Sequence, residues 1–425
     1  MSNQRGSLLV VSYLFIAFLI SWATVSFRQG ATELHASERF VDSRQSFNLA
    51  EAGRDDAVRY MRSLPSPPTG ILAFDPFSGS VALGAGGTYA VTIDPDDANP
   101  STYIDHFTIT STGQVTSPQT ISQVLTVLRI ESFARYAYFT NAESKLLYGS
   151  PTPMWFTSAD RMYGPVHTNG QFNINGSPIF DGPISSVATS INYDSNGPNN
   201  PKFRGGLTLG AAPVTMPMTA TGLRVAASGG GYWYTGNTTI VLQSNGTMLV
   251  TNTALGWVGH PTALPANGAI FVNGGDATVS GTLDGTLTIG ASERILIPDH
   301  IDYKDNPNNN PNATDVLGLV AEKDIVIQTS APNGLRIQAS MMALNESFMV
   351  EDWWDPPPKG ELRLYGGLIE QARGPVGTFN PGNGNLVSGY KKDYKYDARL
   401  ATFPPPFFPT TGQYEDVMWQ ELQNN

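Results

Sequence analysis

From Leu8 to Phe27 the chain runs for 20 residues without a charged side chain. As a helix rising about 1.5 Å per residue, that stretch is about 30 Å long, the thickness of a bilayer's hydrocarbon core. A secretory signal carries a shorter apolar region, about 7–15 residues, followed by a cleavage site between small residues. Here the run is longer, and helical patterning continues behind it. From Glu33 to Arg62 there is no proline and Gly53 is the only glycine, while Phe40, Phe47, Ala50, Ala57 and Met61 recur mostly at three-, four- or seven-residue steps. Pro65, Pro67 and Pro68 end the pattern. Gly30 is its weak point, at a cost of roughly 1 kcal/mol relative to alanine. The spacing predicts one helix of two characters, apolar over 7–27 and amphipathic over 28–64.

Composition narrows the choices for the rest of the chain. The 425 residues are more than one small domain needs; only 14% are charged, and 43 glycines and 31 prolines are present. That balance suits a β-rich extracytoplasmic protein rather than a helical enzyme or a disordered chain. A net charge of −11 without any long basic cluster argues against nucleic acid as a partner. The chain has no cysteine, which removes disulfides, thiolate metal sites and cysteine nucleophiles together.

The short polar leader ending in Arg5-Gly6, with the apolar run directly behind it, resembles the type IV pilins and pseudopilins. The run Ala50-Glu51-Ala52-Gly53-Arg54-Asp55-Asp56-Ala57 is similar to a motif of PilX-type minor pilins. This resemblance covers about Gln4 to Met61. It implies a leader over 1–6 cut by prepilin peptidase between Gly6 and Ser7, with Arg5 before the cut, and a membrane-spanning segment, Leu8 to Phe27, that later becomes filament core. Major pilins carry a glutamate at the fifth mature position; here that position is Val11. In apolar surroundings an unpaired carboxylate is costly, and the family's glutamate is held to pair with the terminal amine of the preceding subunit. A subunit with no predecessor needs none, so Val11 implies an initiating or tip-proximal place.

Over 65–133, the segments Thr88–Asp97, Tyr103–Val115 and Ile121–Phe133 alternate apolar and polar residues between turn signals. Packed on the amphipathic helix, they make a small antiparallel sheet of the kind pilin heads have. Asp94 to Asn99 lacks the spaced oxygen ligands of a calcium loop and reads as a solvated turn. From 134 to 389, short apolar segments alternate with Asn-Gly, Asp-Gly and Gly-rich turns, as in Gly164–Ser185 and Ala269–Pro298. The fold class expected is therefore an α+β pilin-like module succeeded by an all-β domain, a right-handed parallel β-helix first and a β-sandwich second. The Tyr- and Pro-rich residues 390–425 are expected to lie extended and cap the open end of that solenoid. The stretches Trp155–Phe172, Leu364–Phe379 and Gly389–Pro409 resemble an uncharacterised bacterial domain found behind PilX-type N-termini.

Chemistry is weakly signalled. Asp160-Arg161 with His167 and Asn169, Asp299-His300 with Asp302, and Glu351-Asp352 beside Trp353-Trp354 are the polar constellations. None has a spacing that fixes two carboxylates across a scissile bond, and the five histidines are dispersed. We expect no enzyme, no catalytic residue, no cofactor and no metal. Tyr232, Trp233, Tyr234, Trp257, Trp353 and Trp354, large aromatics in polar or Gly-rich settings, are candidates to stack on a glycan or a protein surface. The reading that results is a minor pilin-like subunit, single-pass in the inner membrane with its β-rich head outside and then on a pilus or the cell surface. Its partners are other pilin-like subunits, prepilin peptidase and inner-membrane lipid. The alternative is a tethered β-helix that binds or degrades polysaccharide.

Overall fold

The computed structural model describes residues 4–64, 68, 72–84, 86–95, 106–116, 119–147, 150–195, 197–310, 312–380 and 385–422. The chain forms two compact units: one takes Met1–Asp97, Ile104–Arg129 and Tyr414–Asn425, the other Ala98–Tyr103 and Ile130–Gln413.

The first unit is built on one unbroken helix, α1 (Gln4–Ser63). Among the described residues its apolar N-terminal part, from Leu8 on, is exposed, and burial begins at Ser46, Leu49 and Ala50, continuing through Ala57, Val58 and Met61. Phe40, expected on the packed face, is exposed because the sheet does not reach that far along the helix. The sheet is a meander in which Val81–Ala82, Thr88–Pro95, His106–Thr116 and Gln119–Ser132 pair antiparallel in turn. Alternate residues of the last strand, Ser122, Val124, Thr126 and Leu128, are buried. Gly53 allows the helix to lie close on this sheet: a Cβ there would stand 2.4 Å from Ser111 Oγ and 2.7 Å from the Tyr89 ring. Most of the turn expected at Asp94–Asn99 lies outside the described residues.

The sheet gains a fifth strand from the far end of the sequence, Thr410–Leu422. This corrects the expectation of a capping tail over 390–425. Overlapping the start of that span, Leu386–Tyr396 is a strand parallel to Pro358–Ala372. Leu400 and Phe408 join a cluster with Phe139, Phe271, Val316 and Val320, on the side of the stacked strands that also carries α2 (Thr221–Gly229). Tyrosine and proline content indicated an extended segment, but not that it would enter two different sheets.

The second unit is almost wholly parallel in its pairing. One ladder runs Tyr232–Thr235, Ala269–Asn273, Thr286–Ala291, Val316–Ala321, Arg336–Ala343 and Pro358–Ala372, each strand parallel to the next. It then continues with Tyr138–Ala142, Val166–Thr168, Ile184–Ser186 and Leu207–Leu209. The order in space is therefore not the order in sequence: the first strand of the unit lies beside one of its last. Among the described residues of this unit the antiparallel pairs are local hairpins such as Thr238–Gln243 with Thr247–Asn252, which is not the pairing of a sandwich. The register steps 18 residues from Val166 to Ile184 but 30 from Ile289 to Leu319, so no fixed repeat length is visible. Inward side chains form one long apolar core, from Tyr234 and Ile270 through Leu319 and Leu368 to Phe172 and Phe180. At the turns of this stack the backbones approach closely: a Cβ on Gly182 would stand 2.3 Å from the carbonyl oxygen of Gly164.

Candidate functional site

Among the described residues, exposed large apolar side chains are concentrated on the rod of α1. Leu8, Val11, Phe15, Phe18, Trp22 and Phe27 are all exposed, with Phe27 at 80%. Two hydroxyls in this stretch turn back onto the helix, Ser12 Oγ donating to Leu8 O at 2.8 Å and Thr24 Oγ1 to Ile20 O at 2.7 Å. Neither therefore presents an unsatisfied donor to hydrocarbon. By length and composition this single N-terminal apolar helix is a candidate membrane anchor. Arg5, Gly6 and Ser7 lie in its first turns; their side chains are outside the described residues.

The motif at Ala50–Ala57 holds the C-terminal strand against the helix. Arg54 Nη2 donates to Asp416 at 2.6 Å and Arg54 Nε to Thr126 Oγ1 at 3.2 Å, while Trp419 Nε1 donates to Glu51 at 2.9 Å. Tyr89 Oη donates to Asp56 at 2.5 Å, and burial together with that carboxylate pushes the phenol up to about 12. Trp419 also packs edge-on to Phe47 with 6.4 Å between ring centres. The motif's polar residues thus act as clamps between elements far apart in sequence.

The candidate aromatics divide. Tyr234 is buried and is removed as a ligand contact, because inward alternation carries it into the core. Tyr232, Trp257 and Trp353 are partly buried against the same core. Trp233 lies stacked on Phe271 at 5.4 Å yet is 40% exposed, and Trp354 is 52% exposed, edge-on to Trp353.

The polar constellations also separate. Asp299, His300 and Asp302 are tied to local backbone and to Arg336, and Glu351 accepts from Thr329 N. His167 lies buried against the ring of Phe139. Asn169 Oδ1 accepts from Val214 N at 2.9 Å and its Nδ2 donates to Val214 O at 2.7 Å, which fixes the amide. His167 Nε2, 3.1 Å from that Oδ1, therefore carries the ring proton, and Nδ1 accepts from Ser185 Oγ at 2.8 Å. Burial lowers the imidazole's pKa and keeps it neutral. This chain of bonds pins the segment around Val214 to the ladder. Among the described residues no group of three His, Asp or Glu side chains could hold a metal ion.

Asp160 belongs to a cluster that the spacing of residues does not announce. Where strand Tyr138–Ala142 meets Pro358–Ala372, three pairs of polar groups cross the seam between early and late sequence. Arg373 Nη1 donates to Glu143 at 3.0 Å, both side chains 2% exposed, and the guanidinium lies 3.7 Å from the ring centre of Phe156. Tyr138 Oη donates to Glu370 Oε1 at 2.6 Å, and Glu370 Oε2 accepts from Phe348 N at 2.9 Å and Gly374 N at 3.1 Å. Lys392 Nζ donates to Asp160 Oδ1 at 3.2 Å. Burial pushes Glu370 up to about 7 despite its three donors. Burial opposes charge on Asp160 too, but Lys392 and Arg373 outweigh it and hold its pKa below the usual range. The available signal was charge inside an apolar alternation: Glu370 and Arg373 interrupt Leu364–Phe379, and Lys392 stands between Tyr390 and Tyr394.

A family model described as a domain of unknown function (DUF4900) matches residues 102–189. That match takes in Trp155–Phe172 and ends before Leu364–Phe379 and Gly389–Pro409. No curated protein matches the chain. Among solved structures, the chain is similar to the crystal structure of the competence-associated pilin ComZ from Thermus thermophilus, at 13% identity and a TM-score of 0.35, with 90% of this chain and 98% of that chain covered.

Proposed function

We propose that this chain is a pilin-like subunit whose N-terminal helix lodges in the inner membrane and then packs against the helices of sibling subunits, while its β-rich second unit is displayed outside. The observation that carries this reading is the helix itself. Gln4–Ser63 is continuous, its apolar first part lies bare, and only its last part is fastened to a sheet. Hydrocarbon accounts for Leu8–Phe27. A tether needs nothing more, yet the rod continues uncovered well beyond Arg28, exposing Leu34, Phe40 and Val41. Surface of that kind gains by lateral packing, at roughly 25 cal/mol per Å² of apolar area removed from water.

On this reading prepilin peptidase cuts between Gly6 and Ser7. Val11, exposed and without a carboxylate, suits a minor subunit that starts or tops a filament. The head binds rather than catalyses. Trp233, exposed on strand Tyr232–Thr235, and Trp354, exposed in a turn, favour a glycan or a protein surface as what it meets; loss of glycan-array signal in Trp354→Ala would support that part, and uniformly negative arrays with the parent protein would remove it.

Because the chain has no cysteine, single cysteines give a direct test. Leu34→Cys, treated in living cells with a short bis-maleimide, is expected to cross-link to another pilin-like subunit carrying a matching cysteine. Membrane-bound protein that forms no such adduct, at Leu34 or at Val41, would leave a plain anchor. Val11→Glu is expected to impair initiation or tip placement; improved incorporation would contradict the tip-proximal assignment.

A further inference from the structure

Lysine is rarely buried, because its ammonium loses water that few partners replace. Lys392 nevertheless points inward. It alternates along its strand with Tyr390 and Tyr394, both in the apolar core, and its side chain is 16% exposed. Its partner Asp160, 6% exposed, sits at the turn just after strand Phe156–Thr157. The two lie on opposite sides of the seam, where Tyr394 pairs with Met162. A buried ion pair of this kind seldom stabilises a fold by more than an apolar pair of the same size. A covalent link across the seam would, because it restricts the unfolded chain over the whole loop from 160 to 392.

We propose that Lys392 and Asp160 condense to form an intramolecular amide that closes the seam of the parallel stack. One ammonium proton first passes to Oδ1, which frees the lone pair of Nζ and neutralises the carboxylate that Lys392 and Arg373 otherwise hold ionised. Nζ then attacks Cγ of Asp160 and the N–C bond forms. In all, two of the three ammonium protons pass to Oδ1, which leaves as water, and the third stays on the amide nitrogen. No oxidant or outside reactant is consumed. Contact at 3.2 Å supplies the approach. During addition, negative charge develops on Oδ2, and Thr157 already donates to that atom from its backbone N at 2.6 Å and from Oγ1 at 3.2 Å. Burial lowers the pKa of Lys392 towards the free amine, with Asp160 opposing. The other ionisable groups around the pair are Arg373, Glu143, Glu370, Tyr138 and Tyr394. Burial raises the Glu370 carboxyl to about 7, and Tyr394 Oη is buried without a hydrogen-bond partner among the described residues. Burial also keeps bulk water from the product. The inference stands on the second unit alone and is independent of the pilin-like role.

Tryptic peptide mapping of the purified full-length protein by mass spectrometry tests it. The expected result is a branched peptide that joins the segment holding Asp160 to the segment holding Lys392, lighter than its two parts by one water, with no cleavage after Lys392. It should be absent from Lys392→Ala and from Asp160→Ala. Because the chain has no cysteine, no disulfide can imitate it. Linear peptides alone, with trypsin cutting after Lys392 in the parent protein, would overturn the proposal whether or not the variants fold. A branched peptide that persists in Asp160→Ala would overturn the assignment of its acceptor.

Discussion

The two units handle charge in opposite ways. In the first, Arg54 holds Asp416 at the surface, with side chains 18% and 39% exposed, and water shares the work. In the second, Arg373 and Glu143 are both 2% exposed, and their remaining polar contacts, Trp155 O for the guanidinium and Thr140 Oγ1 for the carboxylate, come from the protein as well. A helix laid on an antiparallel meander can send its long polar side chains over the edge of the sheet. A parallel stack surrounds its core, so a charge pointing inward must find its partner inside. Assembly differs by degree: in the first sheet four strands pair in sequence order and one, Thr410–Leu422, joins from the far end at the edge, whereas the stack joins Leu368 to Tyr138 inside its ladder, and that joint is where the inward charges collect.

This contrast can be broken by substitution, and the largest effect is expected at Arg373. Arg373→Ala leaves Glu143 buried without its cation and should cost about 3–5 kcal/mol in denaturant unfolding of the second unit. A loss below about 1 kcal/mol would show that water reaches the seam. Next comes Glu370, whose folded pKa of about 7 lies above its ordinary 4.5. The fold therefore favours the protonated acid: its contribution is whole below about pH 4.5 and is lost as the pH rises through 7. That amounts to something on the order of 3 kcal/mol between those limits. Glu370→Gln should flatten the dependence of unfolding free energy on pH over this window. An unchanged slope would place the titration elsewhere.

Smaller effects separate two glycines of one helix. Gly53→Ala drives a methyl group into Ser111 and Tyr89 and should cost about 1–3 kcal/mol. Gly30→Ala meets nothing within 4 Å and should raise helicity in detergent, by about 1 kcal/mol. Equal signs for the two would refute the close approach of helix and sheet. The smallest change is expected for Arg54→Ala, about 1 kcal/mol or less, read from the thermal midpoint of the first unit. A loss as large as that at Arg373 would erase the distinction between the units.

The sequence was most legible where its periodicity was local. The long helix, its end before Pro65 and the alternating strands of the meander all follow from spacing within a few residues. The turns Gly164-Pro165-Val166 and Gly182-Pro183-Ile184 likewise announce strands of similar kind. What spacing could not reveal is which strands become neighbours. The step between paired strands varies, so no register is written in the chain, and nothing near Tyr138 points to Leu368. The seam cluster was hidden for that reason. Phe40 shows the converse limit: periodicity marks a face but not how far a partner extends along it. The Asp299–His300–Asp302 run, a weak signal of chemistry in the sequence, is tied to backbone and to Arg336.

The pilin-like role depends most on a rod that survives processing. Mass spectrometry of the mature N-terminus, on protein taken from membranes of cells with active prepilin peptidase, tests this directly. A chain beginning at Ser7, with Leu8–Phe27 retained, is the predicted result. A chain beginning at Met1 or Ser2, or one that has lost the apolar segment, would contradict it.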